Sequence, residues 1–273
     1  MAHNFTVCDA PQRSPTWFAA RAGRLTGSVA ADMMTTLKGG KEAAVRRDLR
    51  TKLALERILG QPLEDGTGYV NADMQRGIEL EPQARAAYEA LTGEIVQETG
   101  FLAHTELPIG ASLDGHLGDF ETIWECKCPR SATHWKYLQA GTVPAEHRWQ
   151  LVHNLYVTGA NAAVFCSYNR QFPEPLRLFT VRLEADDDEI VRYADDLSRF
   201  LAEIANEVLA IQDRLTKKGL VTVCDRCGKR PRVGIIPLCH ECAQYDQDYA
   251  TGEHAQDIGD TSHPGHPSNY GSS

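Results

Sequence analysis

Three residues carry the most chemical information in this sequence: Asp114, Glu125 and Lys127. Asp114 lies in Ala111-Ser112-Leu113-Asp114-Gly115, and Ile123-Trp124-Glu125-Cys126-Lys127 follows shortly after. Side chains alternate along a strand, so Glu125 and Lys127 share one face while Trp124, Cys126 and Cys128 point the other way. If 111–117 and 121–127 form a hairpin turning near Asp119, Asp114 falls within a residue or two of Glu125. Two carboxylates and one ammonium then occupy a small volume beside Gly115, where the backbone can come close. Such a set suits a hard divalent ion, Mg²⁺ (or Mn²⁺), which takes one or two carboxylates plus water and substrate phosphate. The Cys126 carbonyl is an extra ligand between the two working side chains. Lys127 can orient an attacking water or stabilise negative charge developing on a phosphoryl oxygen.

A third carboxylate fits the set. Met74, Ile78, Ala84, Tyr88 and Leu91 trace an apolar helical stripe, and Glu81 falls on it, just before Pro82. An inward carboxylate is costly unless paired or metal-bound. The blander reading is real: Asp-Gly is a common turn, and Glu-x-Lys on a strand is often a solvated pair. The full set, an inward Glu, an Asp-Gly and then E-x-K, outweighs it.

The elements that must position these groups follow from periodicity. Residues 14–60 read as mostly helical, with a clear helix over Lys41–Leu59 ended by Gly60. Residues 72–92 are helical again. Glu94–His104, Gly110–Leu117 and Glu121–Lys127 read as strands, with Gly118-Asp119 as a turn. Helices at Ala132–Ala140 and Ala145–Val157 follow, then strands at Ala162–Ser167 and Leu176–Leu183, and a long helix over Asp186–Lys217. This order predicts an α/β (α+β type) fold with a mixed central sheet flanked by helices.

A separate unit closes the chain. Cys224-x2-Cys227-x11-Cys239-x2-Cys242 has the spacing of a closed tetrahedral Cys₄ site for structural Zn²⁺, and short strand-like flanks make it a zinc ribbon. His240 as a substitute ligand and an iron–sulfur centre remain alternatives. The ribbon's Arg226, Lys229, Arg230 and Arg232 outnumber Asp225 and Glu241. The domain plan is a loose N-terminus (1–13), a core (14–218), the ribbon (219–242) and a disordered acidic tail (243–273) with five acids and no Lys or Arg.

Composition sets limits on function. The chain has 273 residues and a net charge of −9, so a surface coated in basic residues for nucleic acid is excluded, though a local basic groove is not. No secretory signal is visible at Met1–Ala10, and the longest uncharged run, Trp149–Asn169, is too polar to span a membrane. Eight cysteines without such a signal suggest a cytoplasmic protein with free or metal-bound thiols.

Taken in order, these residues resemble the lambda-exonuclease / YqaJ-type viral recombinase family of PD-(D/E)xK nucleases. The match runs from Trp17-Phe18-Ala19-Ala20-Arg21 through Arg76-Gly77-Ile78-Glu79-Leu80-Glu81-Pro82, Ala111–Gly115 and Trp124-Glu125-Cys126-Lys127-Cys128-Pro129. It continues through Val143-Pro144 and Trp149-Gln150 to Val157-Thr158-Gly159, and covers about residues 14–185. The resemblance implies a restriction-endonuclease-like core and an Mg²⁺-dependent exonuclease that degrades one strand of linear duplex DNA from its 5′ end, in phage-type homologous recombination. It implies metal binding by Asp114, Glu125 and the Cys126 carbonyl, assistance from Glu81, catalysis by Lys127, and Gln150 close to the centre. It places Arg21 and Ser28 at the 5′-terminal phosphate. Thr26-Gly27-Ser28 precedes a helical stretch, Val29–Leu37, whose amide end suits phosphate, although Ser28 could simply cap it. The partners implied are duplex DNA ends, a single-strand annealing protein and a homo-oligomer, a trimer in some members. The ribbon is not part of the basic family pattern. Two other functions fit the residues: a structure-specific or restriction-type endonuclease on the same metal site, and a nuclease-like adaptor that binds DNA or protein through the ribbon.

Overall fold

The structure, a computed structural model, describes residues 3–37, 39, 41–63 and 72–218. The ribbon with Cys224, Cys227, Cys239 and Cys242, and the acidic tail, lie outside the described residues.

Among the described residues, eight strands form two four-stranded mixed sheets. The first has the order β1 (Phe5–Cys8), β3 (Phe101–His104), β4 (Ile109–Ser112), β2 (Leu25–Thr26), with only β2–β4 parallel. The second has the order β5 (Gly115–Leu117), β6 (Thr122–Lys127), β7 (Ala162–Tyr168), β8 (Leu178–Glu184), with only β6–β7 parallel. The α+β class with helices flanking mixed sheets is as the pattern predicts. The division into two sheets is not, because β4 and β5 are separated only by Leu113 and Asp114 and read as one strand over Gly110–Leu117.

Seven α-helices among the described residues cover the sheets: α1 (Pro15–Arg21), α2 (Ala30–Met34), α3 (Ala44–Leu59), α4 (Ala72–Thr92), α5 (Ser131–Ala140), α6 (Ala145–Thr158) and α7 (Asp187–Lys217). β6 reaches its parallel neighbour β7 through α5 and α6, since a parallel pair needs a long crossover. One face of the second sheet, with Ile123, Ala163 and Phe165, packs with α6 and α7 (Leu151, Leu155, Tyr193, Leu197, Phe200). The other face, with Trp124, Cys126, Val164 and Cys166, packs on Leu80, Ala84 and Tyr88 of α4. β7 is therefore buried along its whole length, and its sequence is apolar without alternation. Spacing of four, three and four places Tyr193, Leu197, Phe200 and Ile204 on one side of α7. Asp186 caps that helix, accepting from the Glu189 N–H, and Gly60 ends α3 in the left-handed region.

Three expectations change. The N-terminal 1–13 segment is not all loose tail: Phe5 is buried and β1 pairs antiparallel with β3. A four-residue edge strand is too short to stand out from local pattern. Val29–Leu37 is not one helix, because Gly27–Val29 forms a 3₁₀ turn and α2 lasts five residues. The apolar face of α4 that turns into the core is Leu80, Ala84 and Tyr88, while Met74, Ile78 and Leu91 are exposed. Met74, Ile78 and Glu81 do share a side, but it is the wall of an open cleft. Pro82 lies within α4, which continues through it.

Candidate active site

One hairpin assembles the acidic cluster. Gly115 pairs with Trp124, His116 with Ile123 and Leu117 with Thr122, so Asp114 arrives beside the Glu125–Cys126 peptide. The Cys126 N–H donates to Asp114 Oδ2 at 2.8 Å. The turn needs two left-handed residues, Gly118 (φ +60°) and Phe120 (φ +59°), and the Phe120 ring stacks on His116 at 3.8 Å.

β6 lies between β5 and β7, so Glu125 sits inside the molecule at 1 % exposure. Its Oε1 accepts from the Lys127 ammonium and from Gln150 Nε2 at 2.6 Å. Its Oε2 is buried with no partner. Burial pushes the Glu125 carboxyl well up, Asp114 adds to this, and Lys127 and Gln150 oppose it. Glu81, on the cleft side of α4, is pushed up to about 7 by burial first and then by Asp114 and Glu125. Burial alone would favour the neutral Lys127 amine, but Glu125 and Asp114 outweigh it and hold the ammonium well above its usual range. Lys127 keeps about a third of its side chain exposed (31 %). It faces a cleft of about 750 Å³ that Glu81, Asp114 and Cys126 also line.

This arrangement passes a test for a divalent cation. An orphaned buried carboxylate oxygen and two carboxyls held up by burial and mutual repulsion form an electrostatic deficit that a cation relieves. Among the described residues no group of three or more His, Cys, Asp and Glu side chains is arranged to hold a metal ion by itself, so water and substrate would have to complete the coordination of any ion bound here.

Gln150 is presented by α6, and so is the contact to the other candidate site. A Cβ at Gly27 would lie 2.5 Å from Asn154 Oδ1 and 3.3 Å from Gln150 Cγ, so Thr26-Gly27-Ser28 rests directly on this turn of α6. Both polar atoms of the Asn154 side chain are buried without partners. Arg21 donates to Ser112 Oγ and, at 3.3 Å, to Thr26 Oγ1, which lies 3.3 Å from Ser28 Oγ. The Arg21 guanidinium also sits 4.2 Å over the Trp17 ring. Burial pushes Arg21 down to about 10, against the pull of Glu56. Arg21, Thr26 and Ser28 line one cavity of about 210 Å³.

The structure thus brings Glu81, Asp114, Glu125, Cys126, Lys127 and Gln150 together, and Arg21 with Ser28. Reading the sequence missed Ser112, Thr26 and His147. His147 lines the cleft and is pushed down to about 4, mainly by burial and then by Lys127, and so is neutral. Its signal was its place one turn before Gln150 on α6. Ser112 and Thr26 reach Arg21 only through long-range pairing and carry no local signal. His153 is a core residue, bonded to Tyr193 Oη at 2.6 Å and to the Gly110 carbonyl at 3.0 Å. Trp149 packs on Tyr193, while Trp135 is exposed.

The family described as the YqaJ-like viral recombinase domain matches residues 16–161. The crystal structure of an alkaline exonuclease (LHK-Exo) from Laribacter hongkongensis is similar at 36% identity and a TM-score of 0.67, covering 75% of this chain and 100% of that one. A structure of LHK-Exo in complex with dAMP matches with the same figures. A phage related exonuclease from Haemophilus somnus 129PT shares the fold at 15% identity and a TM-score of 0.51, over 72% of this chain and 96% of that one. No curated protein matches the chain.

Proposed function

The chain belongs to the YqaJ-like viral recombinase family, and from that premise we propose how this DNA-hydrolysing nuclease works: it digests linear double-stranded DNA as an Mg²⁺-dependent exonuclease, from the 5′ end. The observation that carries the reading is Glu125, whose one oxygen is held by Lys127 and Gln150 while the other lies buried and unmatched beside Asp114.

Asp114, Glu125 and the Cys126 carbonyl are the residues that would hold the ion, with Glu81 balancing charge from α4. A divalent ion bound there would draw charge from the scissile phosphate and make water more acidic. Gln150 fixes the rotamer of Glu125. Glu125 and Asp114 favour the Lys127 ammonium, which would donate to the phosphate and set a positive charge beside it. Arg21, already fixed by Ser112, Thr26 and Trp17, and the exposed Ser28 hydroxyl would receive the terminal phosphate. Because the Ser28 segment rests on the same turn of α6 as Gln150, a strand end seated on one site presents its neighbouring linkage to the other.

The ribbon at 219–242 is read as a structural Zn²⁺ module that adds a basic DNA or protein contact, following the nuclease core at 14–218. The tail at 243–273 is read as unstructured. A single-strand annealing protein and a second or third copy of the chain are the partners this reading expects in recombination.

The test is digestion of linear duplex with Mg²⁺, with either strand end labelled. Loss of a 5′-phosphorylated strand from its 5′ end, with covalently closed circles intact, supports the exonuclease. Cutting of closed circles overturns it in favour of an endonuclease. Asp114→Asn and Lys127→Ala should each abolish digestion while the folded far-UV spectrum persists, and full activity in both would remove the assignment.

A further inference from the structure

We propose that Arg13 holds a backbone phosphate of the DNA strand lying in the catalytic cleft, a role that rests on the nuclease reading above. The argument begins with a turn. The Ser14 N–H donates to the Pro11 carbonyl at 3.0 Å, and the Ser14 hydroxyl accepts from the Trp17 N–H at 3.2 Å to cap α1. Arg13 is the third residue of that turn and has φ +67°, whereas Gln12 stays at negative φ. This is the turn whose third position favours Gly or Asn. An arginine there bears backbone strain that glycine would not, so the sequence keeps the guanidinium against a local cost.

The turn also decides where that guanidinium sits. Gln12 and Arg13 line the same cleft as Glu81, Asp114 and Lys127. Three other cations line it, and each is engaged. Arg76 donates to Asp73 at 2.6 Å and to the Cys128 carbonyl at 2.9 Å, Arg130 donates to the same Asp73 at 3.0 Å, and Lys127 is bound to Glu125. Arg13 is exposed and has no hydrogen-bond or ion-pair partner among the described residues. A planar guanidinium beside a phosphoryl-transfer site is the side chain best shaped to take two oxygens of one phosphate. With a net charge of −9 on the whole chain, DNA must be drawn in by local positive charge of this kind.

The left-handed backbone supplies an unusually clean test, because Arg13→Gly removes the charge and relieves the turn together. In the full chain, Arg13→Gly should melt at the wild-type temperature or above. Its KM for a 5′-phosphorylated linear duplex should rise about tenfold, the worth of one charge-assisted contact, with kcat nearly unchanged. Binding of the same duplex without added divalent metal, followed by anisotropy, should show a log K against log salt slope shallower by about 0.7–0.9, the value for one lost phosphate contact. Arg13→Lys should restore that slope and part of the KM. An Arg13→Gly enzyme with wild-type KM and wild-type salt slope overturns the assignment of Arg13 alone. A wild-type protein that neither binds nor digests the duplex takes the nuclease reading down with it.

Discussion

Gln150 and Lys127 both hold Glu125 Oε1, yet they differ in what they contribute. If Glu125 holds the ion as proposed, Gln150 only orients its carboxylate, and Gln150→Ala should lower kcat about 10- to 100-fold, the usual cost of losing a group that positions a metal ligand. Its melting temperature should stay near wild type, and an unchanged kcat in steady-state digestion would refute the positioning role. At this scale the sequence was readable where the signal was local. Glu125 and Lys127 share a face because strands alternate, and Asp114 follows from a hairpin of short reach. The role proposed for Arg13 was invisible because nothing in its type or spacing reports a positive φ. Ser112 beside Arg21 was hidden because the two meet from 91 residues apart.

At the scale of elements, α6 and β4 set the frame for both candidate sites. His153 joins them, with Tyr193 donating to its ring and the ring donating to the Gly110 carbonyl. Burial pushes His153 down to about 4, below its ordinary 6.5. The unfolded chain therefore binds this proton more readily than the folded one. The contribution is complete above pH about 6.5 and is lost as pH falls towards 4, and it is worth on the order of 3 kcal/mol at 1.36 kcal/mol per pKa unit. Melting temperature should fall across that window, and His153→Gln should flatten the fall although it melts lower throughout. An equally steep acid limb in the variant would reject the link. Gly110 itself has no room for a side chain: a Cβ would sit 2.5 Å from the Leu102 carbonyl oxygen and 2.3 Å from the Phe101 ring. Gly110→Ala should cost about 3 kcal/mol, at the upper end for overpacking, as measured by urea unfolding. The helices from α3 onward were legible to within a few residues because their periods are long and their caps are local, as Gly60 and Asp186 show, whereas α1 and α2 are too short to resolve. The short strands β1 and β2 were not, since two to four residues hold too little alternation to read and exist only through their partners.

Taken whole, the chain carries a family match over residues 16–161, and the four cysteines from Cys224 to Cys242 lie beyond it. No helix among the described residues is long and apolar enough to cross a membrane. α3 and α7 are clamped by Arg46 to Glu203 at 2.7 Å and Arg50 to Glu207 at 2.6 Å, which ties the long last helix to the core immediately before the cysteine unit. Metal analysis of the purified full chain should find about one zinc per chain from the single Cys₄ set. Iron with visible colour would replace the zinc reading with a cluster. The sequence conveyed the fold class and the family, because motif order survives even where each motif is weak. The second sheet boundary was lost, because two adjacent apolar strands look the same whether they pair or part.

That boundary has a consequence of its own. Leu113 and Asp114 are the whole joint between the two sheets, β4 ending at Ser112 and β5 starting at Gly115. One acid of the pair is therefore mounted on the seam and the other, Glu125, deep in one slab. If the slabs slide or tilt, the span between the two acids changes at once. On the proposed reading that Asp114 and Glu125 share one ion, cation affinity would then gauge whether both sheets are seated.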